Sequence, residues 1–183
     1  MGRRPTCAGC CRAPAGSARE RTDAMRTIQQ TITVNSPHWA VFTFVADLQN
    51  DPLWRTNVPL VRHTGDGPLG IGANYWYVMG MWPFRRTTGL VRLTDFESDR
   101  TVEFYGSFES SLQVRVRYDI AQAGEATSMR VTVRPTHSGV ARLLLGFASM
   151  RLRATLAVDL LRLKRLLEDR RRGALDVWRA MQG

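Results

Sequence analysis

The sequence predicts an α+β fold in which one curved, seven-stranded antiparallel sheet wraps a long C-terminal helix, with two small helices between the first and second strands. Short runs of alternating apolar residues recur from residue 26 to residue 134, and the links between them are short enough to favour antiparallel neighbours. A leucine-rich stripe at helical spacing then occupies residues 140–172. With 183 residues and 44% apolar composition, the chain suits one domain with a substantial core.

Residues 26–34 place Ile28, Ile32 and Val34 on one side and Thr27, Gln29, Thr31 and Thr33 on the other, the period of a half-buried strand. Ser36-Pro37 supplies a hydroxyl N-cap and a proline at the first helical position, so a helix is expected over 37–46, burying Val41, Phe42 and Val45. Asn50, Asp51 and Pro52 end it, and one further turn at 53–56 precedes an extended segment at 58–63. The glycine-rich run from Gly65 to Gly72 reads as a hairpin loop, because the strand 73–79 follows where a phosphate loop would continue into a helix.

Further strands are expected at 85–95, 101–108, 112–120 and 127–134. The clearest sends Leu112, Val114, Val116, Tyr118 and Ile120 inward and Gln113, Arg115, Arg117 and Asp119 outward. Residues 121–126 read as its turn, and Met129, Val131 and Val133 as the next inward face. The closing helix is expected over 140–172, about 50 Å long. Its main apolar face is Leu145, Leu152, Leu156, Leu160, Leu163 and Leu167. A second row of Leu143, Phe147, Met150, Ala154, Ala157 and Leu161 is expected to widen that stripe, leaving Arg151, Arg162, Arg165 and Glu168 to solvent.

The net charge of +10 is uneven: residues 140–172 hold nine basic and three acidic side chains, whereas residues 26–139 nearly balance. Lys164 is the single lysine; so one-sided an arginine usage fits a compositional origin better than a phosphate-reading surface. No nucleic-acid partner is therefore expected, and transient membrane contact through the basic helix stays as a minor reading. Cys7, Cys10 and Cys11 all lie in residues 1–25, and the C-x-x-C spacing there finds no second pair to complete a zinc site. Residues 1–25 lack the apolar core of a secretory signal and read as a disordered leader or as sequence preceding a true start at Met25. Residues 26–172 form the domain and 173–183 a C-terminal tail. No run of about 18 uncharged apolar residues is present to cross a bilayer. A soluble, cytoplasmic protein is expected.

The ordered motifs carry a resemblance. Ile32-Thr33-Val34-Asn35-Ser36-Pro37 leads into Val41-Phe42, and Val45-Ala46-Asp47 runs through Asn50 and Pro52 to Trp54. Gly67-Pro68 with Gly70 and Gly72, Thr94-Asp95-Phe96, and Leu163-Lys164-Arg165-Leu166-Leu167-Glu168 follow. From Thr27 to about Glu168 the chain resembles the START-like, or Bet v 1-like, superfamily, and within it the bacterial SRPBCC group of polyketide cyclase/dehydrase and lipid transport proteins. The resemblance implies a helix-grip fold with a hydrophobic cavity between sheet and helix. Its members range from lipid carriers and quinone-binding chaperones to aromatase/cyclases, so it implies binding of something apolar and no particular reaction.

The candidates for lining such a cavity are Trp54, Tyr75, Tyr77, Met79, Trp82, Phe84, Phe104, Phe108, Tyr118, Phe147 and Met150, each of which also fits plain core. The tip Met79-Gly80-Met81-Trp82-Pro83-Phe84 reads as a guard of the cavity mouth, as a membrane contact or as packing on the helix end. Asp47 and Trp54 have sufficient structural roles, the first capping backbone donors where a helix ends, the second plugging the space under the small helices. His38, His63 and His137 lack metal-ligand spacing, and no catalytic constellation, cofactor motif or nucleophile elbow is legible. The leading expectation is a binding protein for a lipid, quinone, polyketide or similar molecule, without catalysis and of undetermined oligomeric state. The alternative is a polyketide aromatase/cyclase or dehydratase using polar groups such as Tyr75, Tyr118 or Arg86, and it requires polar side chains converging inside the pocket. A third reading is an interaction protein docking on membrane or nucleic acid through the basic helix.

Overall fold

The computed structural model describes residues 27–65, 67, 70–81, 85–110, 112–137 and 145–180. In chain order the elements are β1 (Ile28–Val34), α1 (His38–Ala46), a 3-10 turn (Leu48–Asn50), α2 (Asp51–Trp54), β2 (Leu60–His63), β3 (Asn74–Met81), β4 (Arg85–Glu97), β5 (Thr101–Phe108), β6 (Leu112–Ala123), β7 (Ala126–His137) and α3 (Leu145–Ala180). The seven strands form one sheet in the order β1-β7-β6-β5-β4-β3-β2, antiparallel throughout. This is the helix-grip arrangement.

Alternation decides which side chains enter the core. Tyr75 and Tyr77 on β3, Val91 and Leu93 on β4, Val102, Phe104 and Phe108 on β5, Val116, Tyr118 and Ile120 on β6, and Met129, Val131 and Val133 on β7 are all buried in one cluster. From the helix side, Leu156, Leu160, Leu163 and Leu167 join it at 0–4% exposure. Each such burial contributes about 1.5–3 kcal/mol.

Curvature has local causes. The register of β4 on β5 shifts between Leu93 and Asp95, so Thr94 is an extra residue and the strand bends there. Gly89 allows β5 to approach closely: a Cβ in its place would lie 2.6 Å from Phe108 Cδ1, a distance no real packing tolerates.

The long helix is tied down along β1. Gln30 Nε2 donates to the Arg153 carbonyl at 2.8 Å, Lys164 Nζ to the Thr33 carbonyl at 2.9 Å, and Asn35 N–H to Glu168 Oε1 at 2.9 Å. Arg171 reaches the Asn35 carbonyl at 3.1 Å.

Several expectations need correction. Ser36 is not the N-cap of α1: Pro37 takes that place, with no side-chain cap, and its carbonyl accepts the Ala40 and Val41 N–H groups. Ser36 is buried instead, its carbonyl accepting Thr127 Oγ1 at 2.6 Å. The β6–β7 turn is not 121–126 but the two residues Gly124 and Glu125, with Gly124 at φ 64, so both strands run longer than their apolar alternation indicates. The helix α3 continues to Ala180, past the end of the leucine stripe. Its second row does not widen the buried face: Met150 is 66% and Leu161 53% exposed. Met150 lies six residues before Leu156, about 120° around the helix from the face that packs on the sheet. Residues 138–144, including the expected helix start, lie outside the described residues, as do Trp82, Pro83 and Phe84 at the β3–β4 tip.

Candidate functional site

Polar side chains converge inside the apolar core beneath α2. Pro52 opens this short helix, and the Arg55 backbone N–H closes it on the Asp51 carbonyl at 2.8 Å. That turn sets Asp51 and Arg55 at i and i+4 on one face, aimed at the sheet. Asp51 is 1% exposed. Its Oδ2 accepts the Tyr77 hydroxyl at 2.6 Å and lies 3.1 Å from Arg55 Nε, an ion pair without the alignment of a hydrogen bond. Arg55 Nη2 donates to the Tyr118 hydroxyl, and its guanidinium carbon stands 4.8 Å above the Trp54 ring.

β3, β6 and α2 thus supply a continuous network of Asp51, Tyr77, Arg55 and Tyr118. Phe104 packs edge-on to both Tyr118 and Tyr75, its ring centroid 6.4 Å from the first and 6.5 Å from the second. Just after α2, Thr56 N–H donates to Asp159 Oδ1 at 2.9 Å and its hydroxyl donates to the same oxygen. Asp159, 4% exposed, therefore clasps α3 to the network's edge.

Burial raises the pKa of Asp51 from its ordinary value, against the pull of Arg55 and of the Tyr77 hydrogen bond. Burial works the other way on Arg55, but Asp51, Tyr118 and Tyr77 outweigh it and keep the guanidinium charged. Burial pushes Tyr118 up to about 12, Arg55 partly opposing. Tyr75 also rises to about 12, from burial and then from the charges of Asp47 and Asp51. Tyr77 goes well above its ordinary value, chiefly by burial and by Asp51.

Two groups stand apart. Among the described residues the Tyr75 hydroxyl, on a side chain with 0% exposure, has no hydrogen-bond partner. Trp54 Nε1 is also buried without a well-aligned partner, although it lies close enough to Asp51 to pull that carboxyl's pKa down.

Of the candidates from the sequence, Trp54, Tyr75, Tyr77, Phe104, Phe108 and Tyr118 all enter this interior and Met79 packs against it, partly buried. Trp82 and Phe84, and the side chain of Phe147, lie outside the described residues, and Met150 faces away. Arg86 is exposed and cannot join Tyr75 and Tyr118 inside. Arg117, expected to be simply solvated, sits in a network on the convex face, 3.1 Å from Asp95 and 2.8 Å from Asp119. Asp47 acts as expected, its Oδ1 accepting the Gln49 N–H at 3.0 Å. Asp51, Arg55 and Asp159 were missed. Their signals are an acid and a base four apart beside Trp54, and one carboxylate set among the helix leucines.

A separate depression of about 340 Å³ lies at the β2–β3 loop, lined by His63, Thr64, Ile71, Ala73, Asn74 and loop glycines; none of the candidate residues borders it. Among the described residues no helix is long and apolar enough to cross a membrane.

Residues 25–168 match the sequence profile described as polyketide cyclase / dehydrase and lipid transport. Comparison with curated proteins gives no match. Among solved structures the chain resembles the di-domain ARO/CYC StfQ from the steffimycin biosynthetic pathway, with a TM-score of 0.65 at 11% identity over 83% of this chain and 54% of that one. It also resembles a START superfamily protein from Mycobacterium smegmatis, with a TM-score of 0.62 at 13% identity over 78% and 97% of the two chains. A protein from Deinococcus radiodurans gives 0.58 at 16% identity over 78% and 96%. At such identities the likeness is one of fold.

Proposed function

Because the chain belongs to the polyketide cyclase/dehydrase and lipid transport family of START-like proteins, we propose that it holds a small apolar molecule bearing at least one oxygen between the sheet and α3. The observation that carries this reading is the unpartnered, fully buried Tyr75 hydroxyl beside the Asp51–Arg55–Tyr77–Tyr118 network. A buried hydroxyl left unpaired costs about 1–3 kcal/mol, and a ligand carbonyl or hydroxyl facing it recovers that cost. Trp54, Tyr77, Met79, Phe104, Phe108 and Tyr118 supply apolar contact around it. Trp82, Phe84 and Phe147 stay proposed ligand contacts on the sequence alone.

Binding without chemistry is the primary reading. The network's members bond to one another, and tyrosines held near 12 are steady donors but poor proton carriers at neutral pH. One observation favours the second reading, a cyclase or dehydratase: Arg55 and Tyr118 form a charged donor pair of the kind that stabilises an enolate as it develops.

The test is to purify the protein, extract it under denaturing conditions and identify the apolar compounds recovered, alongside a thermal-shift panel of lipids, quinones and polyketides. Tyr75→Phe should weaken retention of the recovered compound about tenfold while leaving the thermal midpoint within a few degrees. Repeated recovery of nothing, together with no thermal shift, would sink the proposal. For the second reading, a linear poly-β-ketone thioester should lose water faster with the protein than without it; equal rates remove that reading.

A further inference from the structure

The outward side of α3 carries an apolar row. Met150, Val158 and Leu161 are 66%, 48% and 53% exposed, and Ala154 and Ala157 are exposed beside them. At 3.6 residues per turn these five fall within an arc of about 100°, on the side of the helix away from Leu156, Leu160, Leu163 and Leu167. Single exposed leucines are ordinary, but a contiguous row over three turns is not.

The charge around the row has one sign. Between Met150 and Arg165 the chain carries Arg151, Arg153, Arg162, Lys164 and Arg165, and its one acid, Asp159, is buried on the core side and bonded to Thr56. Arg162 and Arg165 are exposed at the border of the row. The next acid, Glu168, accepts the Asn35 N–H and stands 3.8 Å from Lys164. A second copy of the chain is a poor occupant, because pairing the row on itself sets one basic border, with Arg151, Arg162 and Arg165, against the same border of the other copy, and the exposed acid next along the helix, Asp169, stands 3.6 Å from Arg172. An anionic bilayer satisfies both parts: the row enters the headgroup–acyl boundary, and the guanidinium groups meet phosphates.

We propose that α3 docks the protein on anionic lipid membranes through Met150, Val158 and Leu161, with Arg162 and Arg165 among the headgroups. This goes beyond the ligand reading and uses the opposite side of the same helix, so either can fail without the other. The experiment is flotation of the full chain with vesicles of phosphatidylcholine alone and of phosphatidylcholine mixed with phosphatidylglycerol. The mixed vesicles should capture about tenfold more protein, and capture should fall as salt rises. Val158→Asp with Leu161→Asp should abolish capture, with the thermal midpoint and the recovered apolar compound unchanged; Arg162→Glu with Arg165→Glu should erase the preference for the anionic mixture. Equal capture by both vesicles, or none, overturns the proposal. So does a dimer that Val158→Asp with Leu161→Asp dissolves, which would make the row a self-interface, or a DNA duplex bound as tightly as the mixed vesicles.

Discussion

Asp51 and Arg55 are the residues on which the interior depends most sharply. An ion pair buried this deeply is costly to break from one side, because the survivor keeps its charge in a low-dielectric setting. Asp51→Ala should lower the unfolding free energy in urea by about 3–5 kcal/mol, and adding Arg55→Met should restore most of the loss. An additive double mutant would show that the two do not act as a pair. The tyrosines make a separate prediction. A tyrosine whose folded pKa lies above its unfolded value stabilises the fold fully below about pH 10 and loses that contribution as the pH climbs through the folded value. Absorbance titration should therefore find Tyr75 and Tyr118 ionising near 12 in the folded protein, with stability falling between about pH 10 and pH 12. Folded-state titration of every tyrosine near pH 10 would contradict the buried placement. The tyrosines were legible because strand parity assigns a face to each. Asp51 was not: beside Asn50 and Pro52 it reads as a helix breaker, and its burial is decided by β3 and β6, which come later in the chain.

Among the elements, α3 shows where pattern reading loses its power. Two apolar rows run along it, and a helical wheel alone ranks them nearly alike. The sheet chooses between them: only the row containing Leu156, Leu160, Leu163 and Leu167 faces the curved interior. Strand positions were easier, since period-two alternation leaves one inward choice. Strand ends were harder, since Ala121, Gln122 and Ala123 carry the pairing up to the Gly124–Glu125 turn without a large apolar side chain. The Asp159–Thr56 contact is what fixes α3 over the polar network. Asp159→Ala strands the Thr56 N–H and should cost about 1–3 kcal/mol. Amide exchange at Thr56 and along residues 156–163 should quicken more than exchange in β6 and β7. Unchanged exchange around Thr56 would mean that the leucine packing alone holds the helix.

For the molecule as a whole, the element order carried the fold: strand, two small helices, six strands and a long helix can bury both apolar faces in few ways. Ligand identity was not legible, because an apolar lining imposes few constraints on sequence. The sheet's order has a temporal consequence. β1 precedes every other described element, yet its hydrogen-bonding partner is β7, with Ile28 opposite Val133. At translation rates of about 5–20 residues per second, the leading strand waits roughly 5–20 seconds on the ribosome before its mate exists. The helix that completes the core comes later still. Nascent chains stalled before residue 126 should be cut by protease throughout, and resistance should appear only once α3 has emerged, all at once. The fold is thus closed late, by the helix that follows the sheet, and termination before β7 leaves β1 with neither edge paired, open to any passing chain.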